Sequence, residues 1–362
     1  MKKLLTKILI ALNVIIILGM LVTGFAFYLT PVTWGWLAEA GYGYGIPLIL
    51  NLVMIAVWVF FRLRYVFIPL LGMIVCYYPT MSFCPINMSQ TAPEDCIKVM
   101  SYNTLSFGAP GDPENGISPN DARRMMIEYI KAQNCDIVCL QEATLWPGRE
   151  EEIREGIQDQ LPHIDTIMSK RENTVTIFSR YPIVKKERIE YESQGNVSGA
   201  FTVLVNGKEV VVVNNHLETN ALSPEEKESF STVVHGEHGK KAIARESKFI
   251  LSKLTNAAKK RAPQAEAVAS FIRMHKNKPL IVCGDFNDIP LSYTHYTIAR
   301  DVTDCYTATG LGTGVSYNKN SMPVRIDNIM CSEHFTPYDC KVQTDITLSD
   351  HYPITCLLKL NE

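Results

Sequence analysis

The apolar positions fall into two regimes. Residues 4–29 form one long run, broken mainly by Lys7 and Asn13, and runs at 46–61 and 66–83 follow closely. From Ile8 onward the first run is long enough to cross a bilayer core, which takes roughly twenty helical residues. A cleaved signal peptide is the competing reading, but its apolar core is normally shorter and ends in small residues. The pattern predicts about three transmembrane helices over about 4–29, 46–61 and 66–83. A helical hairpin dipping into one leaflet is the alternative.

After residue 90 the runs shorten. Residues 97–102, 136–141, 175–179 and 280–284 read as strands, and 203–214 contain a hairpin turning at Asn206-Gly207. Residues 325–331 and 354–360 read as the last two strands. Residues 118–132 read as a helix capped by Ser118, with Pro119 in the first turn. Residues 224–274 are largely helical and polar. Hairpins mixed with helix-flanked runs predict two packed sheets with helices outside, an α/β sandwich. The chain thus divides into an anchor, 1–89, and a soluble domain, 90–362, joined by a linker near 85–95.

Charge orients the anchor. Lys2, Lys3 and Lys7 precede the first run and Arg62 and Arg64 separate the later two, whereas 31–45 has no Lys or Arg. Basic residues stay on the cytoplasmic side, so an odd number of spans delivers the soluble domain to the periplasmic or extracellular side. Trp34, Trp36, Tyr42 and Tyr44 suit an aromatic belt on that outer face. Residues 91–362 hold 30 basic and 36 acidic residues, a net charge of −6 with neutral histidines. That balance excludes a broad attraction to a polyanion but leaves room for a local basic groove. Among the ten cysteines, Cys135, Cys139, Cys283 and Cys356 sit in or beside strand-like runs as buried thiols. Cys84, Cys96, Cys305 and Cys340 are the candidates for disulfides in an oxidising compartment. No spacing suggests zinc.

Short polar islands end the apolar runs: Ser101-Tyr102-Asn103, Gln141-Glu142, Asn215-His216-Leu217, Gly284-Asp285-Phe286-Asn287, Arg325-Ile326-Asp327 and Ser349-Asp350-His351. Each alone is an ordinary turn. Together and in this order, polar ends of neighbouring strands point into one cleft. The stretches VMSYNTL, DIVCLQEAT, IFSRYPI, VVVNNHLE, VCGDFND, RIDNIM and SDHYPI resemble the endonuclease/exonuclease/phosphatase superfamily over about 96–362, in the deoxyribonuclease and neutral sphingomyelinase manner. The resemblance implies a four-layer α/β sandwich and dependence on Mg²⁺ or Mn²⁺.

Phosphoester hydrolysis requires neutralised phosphoryl charge, an activated water and a stabilised leaving oxygen. Glu142 offers a hard oxygen to Mg²⁺, supported by Asn103, with Asp350 in the metal shell. By resemblance, Asp285 orients or deprotonates the water and Asn287 holds a phosphate oxygen. His351 contacts the phosphate, and Asp327 holds it in its tautomer. His216 protonates or hydrogen-bonds the leaving oxygen, and Arg180 clamps a phosphate. The remaining histidines, His163, His235, His238, His275, His295 and His334, read as surface or loop residues.

Two departures narrow the expectation. Abasic-site enzymes carry a tyrosine in the region of Asn214-Asn215-His216, and no carboxylate follows Asn103, so one tightly held ion is expected. Nine basic residues between Lys227 and Arg261 make 218–273 either a lid for an anionic substrate or headgroup, or a solvated amphipathic pair of helices. The sequence therefore reads as a membrane-anchored metal-dependent phosphodiesterase or phosphatase acting on a lipid headgroup or small phosphoester. Alternatives are an extracytoplasmic nuclease acting on DNA or RNA, and a catalytically silent membrane scaffold.

Overall fold

The computed structural model describes residues 2–143, 150–193, 195–220, 240–317 and 323–361. Helix α1 (Lys2–Gly24) is followed by α2 (Gly45–Phe61), α3 (Phe67–Val75) and α4 (Tyr77–Phe83). One helix, Lys3–Tyr28, is long and apolar enough by itself to cross a membrane. Residues 31–61 and 63–83 pass the same test only as helix pairs bent by 44° and 67°. The third apolar run is thus a broken helix. Pro79 explains the break: it lacks an N–H, and its ring would collide with the carbonyl of Val75 in a continuous helix. Buried amides tie these helices together. Asn13 donates to Asn51, Trp58 donates to Asn13, and Asn51 donates to the Pro69 carbonyl. Buried polar groups take such partners because leaving them unpaired is costly.

The rest is two six-stranded mixed sheets. The first contains β1 (Ile97–Asn103), β2 (Ile137–Gln141), β3 (His163–Met168), β4 (Thr174–Ser179), β11 (Phe335–Val342) and β12 (Ile354–Leu360), in the order β11-β12-β1-β2-β4-β3. The second contains β5 (Ile183–Ile189), β6 (Val197–Val205), β7 (Lys208–His216), β8 (Leu280–Asp285), β9 (Thr303–Asp304) and β10 (Asp327–Cys331), in the order β5-β6-β7-β8-β10-β9. Asn206 and Gly207 both have positive φ in the β6–β7 turn, as a tight two-residue hairpin requires.

Facing side chains such as Val99, Ile177, Phe201, Val212 and Ile281 form the core between the sheets. Outside the first sheet, α5 (Pro119–Ala132) and α6 (Glu150–Gln158) contribute Met126, Ile127 and Ile153 to a second core. Outside the second, α7 (Lys240–Met274) contributes Ala265, Val268 and Ile272 to a third. The layers are therefore helix, sheet, sheet, helix. Ser118 caps α5 by accepting from the Asp121 amide.

Four strands lie outside the sequence reading: β3, β5, β9 and β11. In β5 the run Val184–Arg188 carries charges along a sheet edge, where one side meets water. In β11 a register shift interrupts pairing between Tyr338 and Lys341. All ten cysteines are free thiols. Cys305 and Cys340 are buried in the inter-sheet core, and Cys84 and Cys96 are half-buried, so none of the four disulfide candidates is paired. Buried Cys305 lies 3.7 Å, sulfur to sulfur, from Cys331. His295 is buried and meets Asp304 at 3.1 Å, contrary to its reading as a surface residue.

Candidate active site

Each sheet has one parallel strand pair, β1 with β2 and β7 with β8. Parallel neighbours end on the same side, so Asn103, Gln141, His216 and Asp285 come to one end of the sandwich. The register pairs Asn103 with Gln141, and His216 with Asp285. A polar floor joins the sheets beneath them. Gln141 donates to Asn214 Oδ1 at 2.6 Å, and Asn214 donates to the carbonyls of Leu140 and Thr176.

Asp285 is the centre. Its Oδ2 accepts from Asn103 Nδ2 at 3.1 Å and from Asn287 Nδ2 at 3.2 Å. Its Oδ1 accepts from the Asn287 amide at 2.7 Å. His351 Nε2 and His216 Nε2 lie 3.7 and 3.8 Å from Oδ2. Glu142 completes the ring: its Oε1 is 3.3 Å from Asn103 Nδ2 and 3.6 Å from His216 Nε2, and its side chain is 30% exposed. Glu142 and Asn287 both take positive φ, 51° and 53°. Such backbone costs on the order of 1–3 kcal/mol and persists only where surroundings impose it. Gly284 has φ 125°, and a Cβ there would lie 2.0 Å from the Asn215 carbonyl oxygen. Only glycine lets β8 approach β7 at this level.

His351 and Asp327 form a pair, with Nδ1 and Oδ2 2.8 Å apart and both side chains buried. Ser349 orients the loop, accepting from the His351 amide and donating to the Asn103 carbonyl. Burial alone would depress the His351 pKa, but the Asp327 and Asp285 carboxylates outweigh it and hold it well above the usual value. Burial is also the main cause lifting Asp285 to about 6; Asp327 adds to the rise, and the two histidines oppose it. His216 Nδ1 faces Asn173 Nδ2 at 3.3 Å. With Nδ1 accepting that bond, the proton sits on Nε2, towards the cleft.

The donor set fits a hard divalent cation. Among the described residues, no Lys or Arg forms an ion pair with Glu142, Asp285 or Asp327, and Asp327 Oδ1 is buried without a partner. Asp285, Asp327 and His351 each offer a ligand atom within 4.8 Å of the others. The carboxylates of this set suit Mg²⁺, whereas Asn103 turns Nδ2 towards Glu142 and Asp285 while its Oδ1 accepts from the Leu105 amide.

Asp350 is half-buried beside His351, and its charge reinforces that of Asp327. Among the described residues no hydrogen bond or ion pair joins it to Glu142 or Asn103. Arg180 is elsewhere. Strand β4 runs antiparallel to β2, so Ser179 pairs with Ile137 at the far end, about 13 Å of strand away from Gln141. There Arg180 binds Asp136 at 2.9 Å and Asn134 at 3.1 Å, a structural tie rather than a phosphate clamp.

Of the basic segment, residues 218–220 and 240–273 are among those described. Lys227 falls outside the described residues. The described part of α7 packs on the second sheet, and Arg261 is fully buried. Arg261 binds Asp288 Oδ2 at 3.2 Å and donates to the Glu218 carbonyl and to Asn220. Asp288, directly after Asn287, also accepts from Thr294 and from Tyr42 of the N-terminal helical region. Asn173 was not singled out from the sequence, and Arg261, Asp288 and Tyr42 were given no part in supporting the site. Asp288 ends the recognisable stretch VCGDFND, but Arg261 stands in an undistinguished Lys259-Lys260-Arg261 run.

Fold and donor set together define a phosphoester hydrolase in the general sense. The chain belongs to the endonuclease/exonuclease/phosphatase family, whose model matches residues 100–351. Residues 6–83 match a second model, a domain of unknown function. Comparison with curated proteins finds no match. Among solved structures, a family protein from Bacteroides thetaiotaomicron is 19% identical with a TM-score of 0.53, covering 75% of this chain and 100% of its own. A mannosyl-6-phosphatase from the same organism is 19% identical with a TM-score of 0.52, covering 73% and 100%. The human Nocturnin catalytic domain with bound sulfate is 15% identical with a TM-score of 0.50, covering 76% and 97%. At these identities the likeness is one of fold.

Proposed function

We propose that the protein is a membrane-anchored, Mg²⁺- or Mn²⁺-dependent phosphodiesterase or phosphatase acting outside the cytoplasm. Residues 1–89 are the anchor and 90–362 the catalytic domain. One observation carries the reading: Asn103, Glu142 and His216 from three strand ends meet His351 around the buried Asp285 carboxylate.

Glu142 and Asn103, with Asp350 nearby, would hold a divalent ion, which when bound would supply charge neutralisation at the phosphoryl oxygens. Asp285 orients or deprotonates the attacking water, a task suited to a carboxylate raised towards neutrality. Asn287 exchanges one of its amide bonds, to Leu217 or Asp285, for a phosphate oxygen. His351, fixed through Nδ1 by Asp327, presents Nε2 to the phosphate. His216, oriented by Asn173, presents its Nε2 proton to the leaving oxygen. The extracytoplasmic assignment rests on the basic residues at 2–7 and 62–64.

Full-length protein assayed on bis-p-nitrophenyl phosphate and p-nitrophenyl phosphate tests the chemistry. Hydrolysis of at least one, abolished by EDTA, restored by Mg²⁺ or Mn²⁺ and lost in Glu142→Gln and His351→Ala, is expected. Metal-independent release, or none from either ester, rejects the proposal. Protease access to the catalytic domain in spheroplasts tests the topology, and a protected domain rejects it.

A further inference from the structure

The anchor is seated on the catalytic domain rather than tethered to it. Gly41 lies against Leu291 so closely that a Cβ would meet the Leu291 carbonyl oxygen at 2.4 Å. Tyr42 donates to Asp288, and Arg325 donates to the carbonyl of Ser82 at the end of α4. Beside these contacts the two parts enclose a cavity of about 440 Å³. That is within the range of roughly 300–1,000 Å³ typical of small-molecule sites. The anchor contributes Ile46, Ile49 and Phe83 to its wall; the catalytic domain contributes Ile289, Leu291 and Val324. Arg325 also reaches the wall, but its guanidinium is bound by Asp304 at 2.9 Å.

Two features say what fills this space. Ile46 and Ile49 are 68% and 62% exposed, and they continue into the uncovered apolar residues Leu50 and Val53 of α2. Uncovered side chains of the same kind run along α1 and α3. Such an area needs an apolar surrounding, so the mouth of the cavity faces hydrocarbon. The inner wall belongs to the two loops that carry the reacting groups. Ile289 is two residues beyond Asn287, and Arg325 two residues before Asp327. Val315, in the wall, precedes Ser316, which accepts from the amides of Ile326 and Asp327. Tyr317 then packs on His351 with ring centroids 5.1 Å apart. One layer of chain thus separates an apolar cavity open to lipid from the Asp327–His351 pair.

We propose that this cavity receives a hydrocarbon chain of a membrane-resident lipid phosphoester, whose phosphate lies at Asp285 and His351. The inference rests on the phosphoester-hydrolase reading and names its substrate class. The hydrocarbon enters the cavity from the bilayer along α2 while the headgroup rounds the loop wall to the polar site, and chain length becomes a determinant of specificity.

The test uses the full chain in phosphatidylcholine nanodiscs. Ethyl and hexadecyl phosphate are compared by phosphate release, and the ethyl and hexadecyl p-nitrophenyl diesters by nitrophenolate release. The hexadecyl member is expected to have a kcat/KM at least about tenfold higher, the effect of burying roughly two methylenes. Ile49→Trp and, separately, Ile46→Trp fill the cavity without touching the reacting groups. Each is expected to erase that preference while leaving the ethyl esters' rates unchanged. Ethyl-ester hydrolysis with no chain preference, or a preference untouched by both variants, overturns the proposal. Hexadecyl phosphate bearing a terminal diazirine provides a readout independent of turnover. Crosslinks to 45–49, 289–291 or 323–325, lost in Ile49→Trp, support the cavity as the chain site; crosslinks confined elsewhere overturn it. Absence of all hydrolysis with correct crosslinking rejects the enzymatic reading and the phosphate's place at Asp285, a result distinct from failure of the cavity.

Discussion

Replacing Asp288 by alanine removes the acid that neutralises a fully buried guanidinium. Arg261 and Asp288 side chains are 0% and 2% exposed and 3.2 Å apart. Breaking a buried pair from one side costs about 3–5 kcal/mol, because the remaining charge stays desolvated. Three features adjust that figure here. Arg261 keeps its bonds to the Glu218 carbonyl and Asn220. Glu39 remains buried within electrostatic reach of Arg261. Thr294, Tyr42 and the Ile289 amide, however, each lose an acceptor. The offsets place Asp288→Ala towards the lower end, about 3 kcal/mol. Arg261→Met/Asp288→Leu, which removes both charges, is expected to be more stable than Asp288→Ala by about 2 kcal/mol, since no buried charge is stranded. Guanidinium unfolding of the detergent-solubilised chain, followed by circular dichroism, measures both. A secondary outcome is a drop in hydrolysis with the single variant, because Asp288 fixes the loop holding Asn287. An Asp288→Ala variant within about 1 kcal/mol of the parent refutes a charged, water-excluded pair.

Further outcomes follow from the same geometry. Glu142→Gln is expected to lower metal-dependent hydrolysis by roughly 10²–10³-fold and to raise the Mg²⁺ concentration needed for half-maximal rate; an unchanged Mg²⁺ titration excludes Glu142 as a ligand. Asp327→Asn, which loosens His351 without touching the substrate, is expected to cost roughly 10–100-fold in kcat, with folding checked by circular dichroism. Gly284→Ala forces a Cβ onto the Asn215 carbonyl and is expected to destabilise by about 1–3 kcal/mol or more, read as a lower unfolding midpoint. Burial would raise Asp304, but Arg325 and His295 hold its pKa well below the usual range. A depressed folded-state pKa stabilises above the unfolded value, near 3.9, and that contribution is lost as pH falls below it. Acid unfolding is therefore expected to begin at higher pH in Asp304→Asn, and identical acid midpoints count against this role.

The chain's local pattern determined the apolar N-terminal runs, most strands, the Ser118-capped helix and the polar islands that end the strands. Those features depend on neighbours in sequence: periodicity, caps and turn residues act over a few positions. The resemblance carried by seven short stretches added the sandwich and the residues around Asp285. Tertiary structure alone decided which end of a strand each island reaches. Arg180 and Gln141 look equally placed in sequence, yet antiparallel pairing of β4 with β2 sends Arg180 to the opposite end. The edge strands β5 and β11 were hidden because charges and a register shift break their alternation. The Arg261–Asp288–Tyr42 contacts join residues 27 and 246 positions apart, and the cavity beside α2 exists only where two chain regions meet. Burial, register and closeness across such separations come from packing in three dimensions, which no local pattern encodes.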